Sequence, residues 1–188
     1  GNTLSFNEAN DNGDEGFQID GSFNTLSFNT ARRNESDGFD MDPQDDGGNN
    51  NRLINNTAEE NGDAGFEIGG DNNVLRFNHA NRNDRGFFIE EEGSNNSLAF
   101  NVAFANDEDG FDIDGDNNSL TNNLATRNGD DGIDVETGAS GNLLLGNFAV
   151  FNDQNGNGNF DLEDDNANCD ANQWVNNAAN TRNQVCVH

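Results

Sequence analysis

The feature that most constrains this chain is a repeat of about 22 residues. Eight asparagines recur at successive intervals of 22, 27, 22, 23, 22, 24 and 30 residues. They are Asn7, Asn29, Asn56, Asn78, Asn101, Asn123, Asn147 and Asn177. Because self-similarity at a short period is the signature of stacked repeat architectures, the chain is expected to wind into similar units that each contact their neighbours.

Other positions of the repeat are equally regular. A leucine stands three residues before each of the first seven asparagines, Trp174 stands before the eighth, and an alanine follows two residues after all eight. A second asparagine comes five residues after each of the first seven, and short strands such as Gly65-Phe66-Glu67-Ile68 follow in six of the repeats. The apolar residues alternate with period two, which is typical of β-strands. A period of 22 residues is too short for a pair of helices and suits one turn of a parallel β-helix.

Composition shows why stacking matters for this chain. Leu, Ile, Val and Phe together number 39 of 188 residues, and the formal net charge is -28, which places the chain at the edge of intrinsic disorder. The repeat instead predicts an all-β, single-stranded, right-handed parallel β-helix of about eight coils, with 22–30 residues in each. Stacked Leu, Ala and Phe/Ile columns would form its core. The asparagine columns are expected at corners, where this residue tolerates left-handed backbone and its amide can bond the coils above and below.

The residues also carry a resemblance. The pattern Asn-x-Leu-x-x-Asn-x-Ala-x-x-Asn-x3-Gly-Phe-x-Ile resembles the right-handed parallel β-helix repeat of pectate-lyase-like proteins and of the periplasmic copper-binding-protein-like group, and it covers nearly the whole chain. That superfamily includes polysaccharide lyases, hydrolases, epimerases, phage tailspikes, adhesins and non-catalytic rods. The resemblance therefore implies the fold and leaves the function open.

Acidic residues fill the positions between the apolar residues of the Gly-Phe-x-Ile-x strands, where they are expected to face solvent. One column contains Gln18, Asp40, Glu67, Phe88, Asp112, Asp134 and Asp161, and the next contains Asp20, Asp42, Gly69, Glu90, Asp114, Glu136 and Glu163. Carboxylates stacked about 5 Å apart repel one another unless their pKa values rise, salt screens them or cations bind. Two interpretations remain open: a solvated acidic surface, or a run of Ca²⁺ sites with Asp112, Asp114, Asp134 and Glu136 as candidate ligands.

A second calcium hypothesis concerns the segment 153–164. Asp153-Gln-Asn155-Gly-Asn157-Gly-Asn159-Phe-Asp161-Leu-Glu-Asp164 resembles the calcium loop of EF-hand and dockerin-type repeats, with a glycine at loop position 6. The resemblance implies side-chain ligands at Asp153, Asn155, Asn157, Asp161 and Asp164, and a backbone carbonyl ligand at Asn159. Neutral asparagines and a short aspartate at position 12 predict a modest affinity.

The end of the chain departs from the repeat in a way that indicates a cap. The chain is interpreted as one domain, 1–188, with regular coils over 1–152, the calcium-loop-like insertion at 153–164 and a cap at 165–188. Cys169 and Cys186 are the two cysteines, and a disulfide between them is expected to close the last coil of a secreted protein. The first coil shows no comparable cap, so its open end could support end-to-end self-association.

A catalytic alternative uses the few basic residues. Lyases and epimerases of this fold combine acidic Ca²⁺ ligands with a base that removes a proton next to a uronate carboxylate. Arg76, His79 and Arg82 are the candidates, with Arg85 nearby. Arg82 shares a column with Arg33, Glu60 and Arg127 that is typical of surface ion pairs, which favours a non-catalytic interpretation.

Charge narrows the range of partners. A net charge of -28 makes nucleic acid an improbable partner, because phosphates would be repelled. No run of 18 apolar residues is present, so membrane insertion is not expected.

The favoured function is a secreted or cell-surface, Ca²⁺-stabilised structural, adhesive or filament module. The alternative is a carbohydrate-active enzyme or a carbohydrate-binding module acting on cell-surface polysaccharide.

Overall fold

A computed structural model describes residues 1–41 and 48–188. In these ranges the chain winds as a right-handed solenoid whose short parallel strands form three sheets along its length. Asp42 of the second acidic column lies outside the described residues. No helix among the described residues has the length and apolar character needed to cross a membrane.

Among the described residues, each of coils one to seven contributes one strand to each sheet, and coil eight contributes one strand each to sheets 1 and 2. In stacking order, sheet 1 contains β1 (Thr3–Ser5), β4 (Thr25–Ser27), β7 (Arg52–Ile54), β10 (Val74–Arg76), β13 (Ser97–Ala99), β16 (Ser119–Thr121), β19 (Leu143–Leu145) and β22 (Gln173–Val175). Sheet 2 contains β2 (Glu8–Asn10), β5 (Thr30–Arg32), β8 (Thr57–Glu59), β11 (His79–Asn81), β14 (Val102–Phe104), β17 (Leu124–Thr126), β20 (Phe148–Val150) and β23 (Ala178–Ala179). Sheet 3 contains β3 (Phe17–Gln18), β6 (Phe39–Met41), β9 (Phe66–Ile68), β12 (Phe87–Ile89), β15 (Phe111–Ile113), β18 (Ile133–Val135) and β21 (Leu162–Asp164). Coils are numbered by these strands, so that coil five holds β13 to β15.

The predicted leucine and alanine columns of the core are confirmed in the strand register. Leu26 pairs with Leu53, which pairs in turn with Leu75, and all three side chains are buried. The alanine column of sheet 2 is aligned in the same way, as Ala58 with Ala80. Identical side chains therefore lie over one another, and a chain with few apolar residues still obtains a continuous buried core.

Sheet 3 supplies the bulkiest part of that core. The rings of Phe17, Phe39, Phe66, Phe87 and Phe111 form a stack with successive centroids 4.7–4.9 Å apart and nearly parallel planes. The glycine before six of these strands, all but β21, is explained by close packing. A Cβ at Gly65 would lie 2.7 Å from Asn83 Nδ2 and 2.8 Å from Ala80 Cβ. The start of sheet 3 thus packs directly against the alanine column of sheet 2.

Three ladders of buried asparagines join the coils at the corners. The ladder before sheet 2 shows the pattern: Asn78 Oδ1 accepts hydrogen bonds from the backbone and side-chain nitrogens of Asn56 at 2.9 and 3.1 Å. Asn78 Nδ2 donates to Leu53 O at 2.9 Å and to Asn101 Oδ1 at 3.1 Å. The predicted amide bonding between coils is confirmed.

The predicted left-handed backbone at these asparagines is wrong. It belongs to the preceding residue, as at Phe28, Asn55 and Phe77, with φ of 57°, 55° and 57°. Because that residue makes the turn, the ladder asparagine is free to direct its amide into the corner. The other two ladders run through Asn24, Asn51, Asn73, Asn96, Asn118, Asn142 and Asn172, and through Asn34, Asn61, Asn83, Asn106, Asn128 and Asn152.

The C-terminal cap covers the last coil. Trp174 takes the leucine position, paired with Leu144, and is buried. Cys169, in a short 3₁₀ turn (Ala167–Cys169), forms the expected disulfide with Cys186, with their Cα atoms 6.1 Å apart. At the opposite end, Leu4 and Phe17 are only partly buried. The core is therefore closed at coil eight and accessible at coil one.

A candidate cation-binding groove on sheet 3

The outer face of sheet 3 differs from the expectation of a solvent-exposed acidic surface. Asp112 and Asp134 retain only 6% and 8% of their accessible surface, and Asp40 is equally buried. Their neighbours on the preceding turns, Asp109 and Asp131, are acidic too and add to the charge felt by these strands. The side chains do point away from the core, as predicted, but they are shielded from most of the solvent, and Asp112 lines a groove.

One group of carboxylates converges at the centre of this groove. Asp112 lies in β15, Asp114 follows it, and Glu136 follows β18 on the next coil. The pairing of Ile113 with Val135 brings Asp114 and Glu136 side by side. One oxygen from each of the three carboxylates lies within 4.8 Å of the other two. The groove around them has a volume of about 500 Å³ and is lined further by Arg85, Phe88, Glu91, Asp116, Thr137 and Gly138.

Burial makes this group electrostatically unfavourable. Burial, with repulsion from Asp109 and Asp114, raises the pKa of Asp112 to about 8. Burial and the charge of Glu136 likewise raise the pKa of Asp114. Within the described part of the chain, Asp112 Oδ1 is buried and has no hydrogen-bond partner. A proton or a bound cation is needed to offset the repulsion at neutral pH.

Arg85 closes one side of the groove. Its Nε lies 3.1 Å from Glu108 Oε2 and 3.4 Å from Asp112 Oδ2, and its guanidinium carbon lies 4.7 Å from the centre of the Phe88 ring. Burial lowers the pKa of Arg85, but the surrounding acids, with Asp112 and Glu108 foremost, together raise it above its ordinary value. Arg85 therefore stays cationic and neutralises only one oxygen of Asp112.

A second group of carboxylates lies one coil further along. It consists of Asp134, Glu163 and Asp165, again with one oxygen of each within 4.8 Å of the others. Burial and the charge of Asp131 raise the pKa of Asp134 to about 10, and burial together with repulsion from Glu163 raises that of Asp131 to about 8. The four secondary candidates predicted from the sequence thus divide between two groups, with Asp134 separate from the other three.

The register of coil seven explains why Glu163 and Asp165 were not predicted to group with Asp134. Leu162 pairs with Ile133, and Glu163 pairs with Asp134. The sequence interpretation placed Asp161 in the column of Asp134, which is two residues out of register. Aligning Leu162 with the phenylalanine column would have given the correct partners.

In the calcium-loop-like segment, the last two predicted ligands are hydrogen-bonded within the fold. Asp161 Oδ1 accepts from Asn152 N and Nδ2, each at 3.0 Å, and its Oδ2 accepts from Asn180 N at 2.9 Å and Thr181 N at 3.1 Å. Asp164 is fully buried in the core column, where its Oδ2 accepts from Trp174 Nε1 at 2.8 Å. Both carboxylates are committed to the fold.

The rest of the segment packs against an aspartate of coil six. Asn155 and Asn157 donate from Nδ2 to Asp130 Oδ1 at 3.2 and 2.9 Å, and Asp153 Oδ1 accepts from Gly158 N at 3.2 Å. The predicted ligand set was Asp153, Asn155, Asn157, Asn159, Asp161 and Asp164. Its two last members make hydrogen bonds within the fold, because the insertion ends by joining the third asparagine ladder and the core, and Ca²⁺ binding by this loop stays a prediction.

The basic residues of the catalytic alternative lie on other faces. Arg76 is in sheet 1, where its guanidinium lies 5.4 and 5.5 Å from the rings of Phe77 and Phe100, and His79 is exposed on sheet 2. Arg82 follows sheet 2 and forms ion pairs with Glu59 and Glu60. None of the three lines the acidic groove described above, which instead contains Arg85.

Comparison with known proteins agrees with this architecture. No curated protein matches the chain. The family model described as "Right handed beta helix region" matches residues 44–181, which is more than half of the chain. The chain therefore belongs to the right-handed β-helix family.

Proposed function

We propose that this protein is an extracellular structural β-helix whose groove on sheet 3 binds Ca²⁺ between coils five and six. The observation that carries the proposal is the buried Asp112 Oδ1, which has no hydrogen-bond partner among the described residues although it lies beside Asp114 and Glu136. A buried carboxylate oxygen without a donor is strongly unfavourable. A divalent cation bound to the three carboxylates would remove that penalty.

The donor set suits calcium. Ca²⁺ binds carboxylate oxygens at about 2.3–2.6 Å in a flexible geometry, and the three carboxylate oxygens lie within 4.8 Å of one another, close enough for one such ion. Mg²⁺ requires a near-ideal octahedron at about 2.0–2.1 Å and loses its water reluctantly, so three carboxylates that are not arranged as an octahedron suit Ca²⁺ better. Water would complete a coordination shell that three side chains cannot fill.

A cation at this position would act as a cross-link in the rod. Asp112 and Asp114 belong to coil five and Glu136 to coil six, so the ion would join two units that otherwise share only hydrogen bonds and packing. The Cys169–Cys186 disulfide supports an oxidising, extracellular location, since such bonds persist there and are rare in the cytosol. A structural or adhesive role at the cell surface fits a rod stabilised in both ways.

Calcium titration tests the proposal. The protein is treated with chelator, dialysed into about 0.1 M salt and titrated with CaCl₂ by calorimetry, with thermal unfolding measured in parallel. Ca²⁺ is expected to raise the melting temperature of the wild type by several degrees. Asp114→Asn should reduce the affinity of this site at least tenfold, whereas Asp14→Asn, at an exposed acid of coil one, should not change it.

Two results would overturn the proposal. One is a wild-type protein that binds no Ca²⁺ at millimolar concentration. The other is an Asp114→Asn variant that binds as many ions, with unchanged affinity, as the wild type. The wild type and Asp114→Asn must be compared by the change in melting temperature that Ca²⁺ causes, not by the melting temperature itself. Asp114→Asn also relieves repulsion in the ion-free protein, which by itself raises the melting temperature.

One observation favours carbohydrate binding as a second candidate function. Arg85 and Phe88 stand beside the carboxylates in the same groove, and a cation plus an arginine could together hold the carboxylate of an acidic sugar. The titration therefore includes an oligo-uronate with and without Ca²⁺. Binding that requires Ca²⁺ and is lost in Arg85→Gln would support this candidate, and no heat of binding would exclude it for uronates.

A further inference from the structure

We infer that a second divalent cation binds at Asp134, Glu163 and Asp165, and that this ion fastens the C-terminal cap to coil six. The site is separate from the one proposed above, because it shares no ligand with Asp112, Asp114 and Glu136. It depends on a register that only the folded chain provides. The pairing of Ile133 with Leu162 carries Glu163 onto Asp134 across the insertion of coil seven.

An unsatisfied buried atom points to a ligand here. Asp134 retains 8% of its accessible surface, and its Oδ1 is buried with no hydrogen-bond partner in the parts of the chain that the structure describes. Asp134 also forms no ion pair with any described basic residue, in contrast to Asp112 with Arg85. Oxygens of Glu163 and Asp165 lie within 4.8 Å, so the orphaned carboxylate belongs to a group that can surround one ion.

The contacts of this group connect it to the cap. Glu163 Oε1 accepts from Asn183 Nδ2 at 3.0 Å, and Asn183 Nδ2 also donates to Asp164 O at 2.9 Å. Asp165 N donates to Val135 O at 2.9 Å, which holds the start of the cap against coil six. An ion bound to Asp134, Glu163 and Asp165 would therefore join coil six to both the beginning of the cap and its returning C-terminal segment.

The ligand class follows from the donor set. Three carboxylates supply charge and oxygen only, which selects a hard cation over soft transition metals. Their oxygen spacing is within the range that one Ca²⁺ ion bridges at about 2.3–2.6 Å. Ca²⁺ alone is therefore the probe, and no nucleotide or sugar is required for binding.

Hydrogen exchange with and without Ca²⁺ tests the cap inference. The full chain is compared with Asp165→Asn and with Asp114→Asn, the matched control that alters only the groove site. In the wild type and in Asp114→Asn, Ca²⁺ is expected to slow amide exchange of residues 162–188 at least tenfold. In Asp165→Asn this slowing should be lost, and calorimetry should count one ion fewer than in the wild type.

The result distinguishes the two proposals from each other. Slowing of the cap that persists unchanged in Asp165→Asn would overturn the second site, and so would a wild type that binds a single ion whose loss follows Asp114→Asn alone. Conversely, an ion lost only in Asp165→Asn would support this site while refuting the groove site. Asp134→Asn provides an independent variant. It removes a charge at nearly constant volume, and circular dichroism establishes that it is folded.

Discussion

At the scale of single residues, asparagine and aspartate occupy different positions in the ladders: asparagine is repeated within a ladder, and an aspartate stands at the end of one. A ladder asparagine both donates and accepts, as Asn78 does between Asn56 and Asn101, so it can be repeated from coil to coil. Asp161 occupies the end of the third ladder and accepts hydrogen bonds through both oxygens, from Asn152 on one side and from the backbone of Asn180 and Thr181 on the other. A carboxylate suits this last position because every group that faces it is a donor.

The first prediction concerns the ladder. Asn78→Ala leaves the buried N–H groups of Asn56 without their acceptor and Leu53 O without its donor. Since each buried unsatisfied group is unfavourable by about 1–3 kcal/mol, the variant should lose on the order of 3 kcal/mol of unfolding free energy, measured by urea denaturation.

Asn81→Ala is the control for the ladder variant. Asn81 lies three residues away, and its side chain has no hydrogen bond to any described residue. It should change stability by less than about 0.5 kcal/mol, as is usual for surface substitutions. Equal losses in the two variants would refute the assigned role of the ladder.

At the scale of the element, sheet 3 combines an apolar inner face with an outer face of crowded carboxyls. Glu67 in β9 shows the consequence away from the proposed cation sites. Burial, repulsion from Asp37 and contact with Glu90 raise its pKa to about 9. Asp40 lies on the adjacent strand β6, directly paired with Glu67. The strand is therefore most stable when Glu67 carries its proton.

The second prediction is a pH dependence that follows from this shift. The folded pKa of Glu67 lies above its unfolded value of about 4.5, so its contribution is fully present below about pH 4.5 and is lost as the pH rises through about 9. Glu67→Gln mimics the protonated form. In chelator-treated protein it should raise the melting temperature at pH 8–9 relative to the wild type, and the difference should shrink towards pH 5. A variant at the exposed Glu35 should show no such pH-dependent gain, and a Glu67→Gln gain that is equal at pH 5 and 9 would contradict the assignment.

At the scale of the whole molecule, stability is a sum over neighbouring coils. Interior coils pack against two neighbours, whereas coil one packs against only coil two, and its Leu4 and Phe17 stay partly exposed. The other end is covered by Trp174 and closed by the Cys169–Cys186 disulfide. In such one-dimensional arrays the local stability falls towards an uncovered end.

The third prediction follows from this asymmetry. Native-state hydrogen exchange should be slowest in coils three to six and at least tenfold faster in coil one, with coil eight in between because its cap is covalently closed. Peptide-resolved mass spectrometry measures this profile. Uniform exchange along the rod would mean that the rod unfolds as one cooperative unit. That result would contradict the view that its stability is a sum over separate contacts between neighbouring coils.

Much of the fold could be predicted because each coil repeats the one before it, displaced along the axis of the solenoid. Once Leu26, Leu53 and Leu75 recur at a constant offset from the ladder asparagines, the core column, the strand order and the parallel register follow from stacking alone. The cap and its disulfide were also predictable, since the departures at Trp174, Cys169 and Cys186 are local in the sequence.

The tertiary structure decided what the repeat leaves undefined. Across the insertion of coil seven, spacing alone could not place Leu162 rather than Phe160 against Ile133 of coil six, and this register determines that Glu163 meets Asp134. The burial of Asp112 could not be predicted either. Alternation along a strand indicates to which face a side chain points, but not which residues pack around it there. The positions that repeat are determined by contacts between like residues one coil apart. The groove and the two carboxylate groups depend instead on burial and on the register across coil seven, which only the folded chain provides.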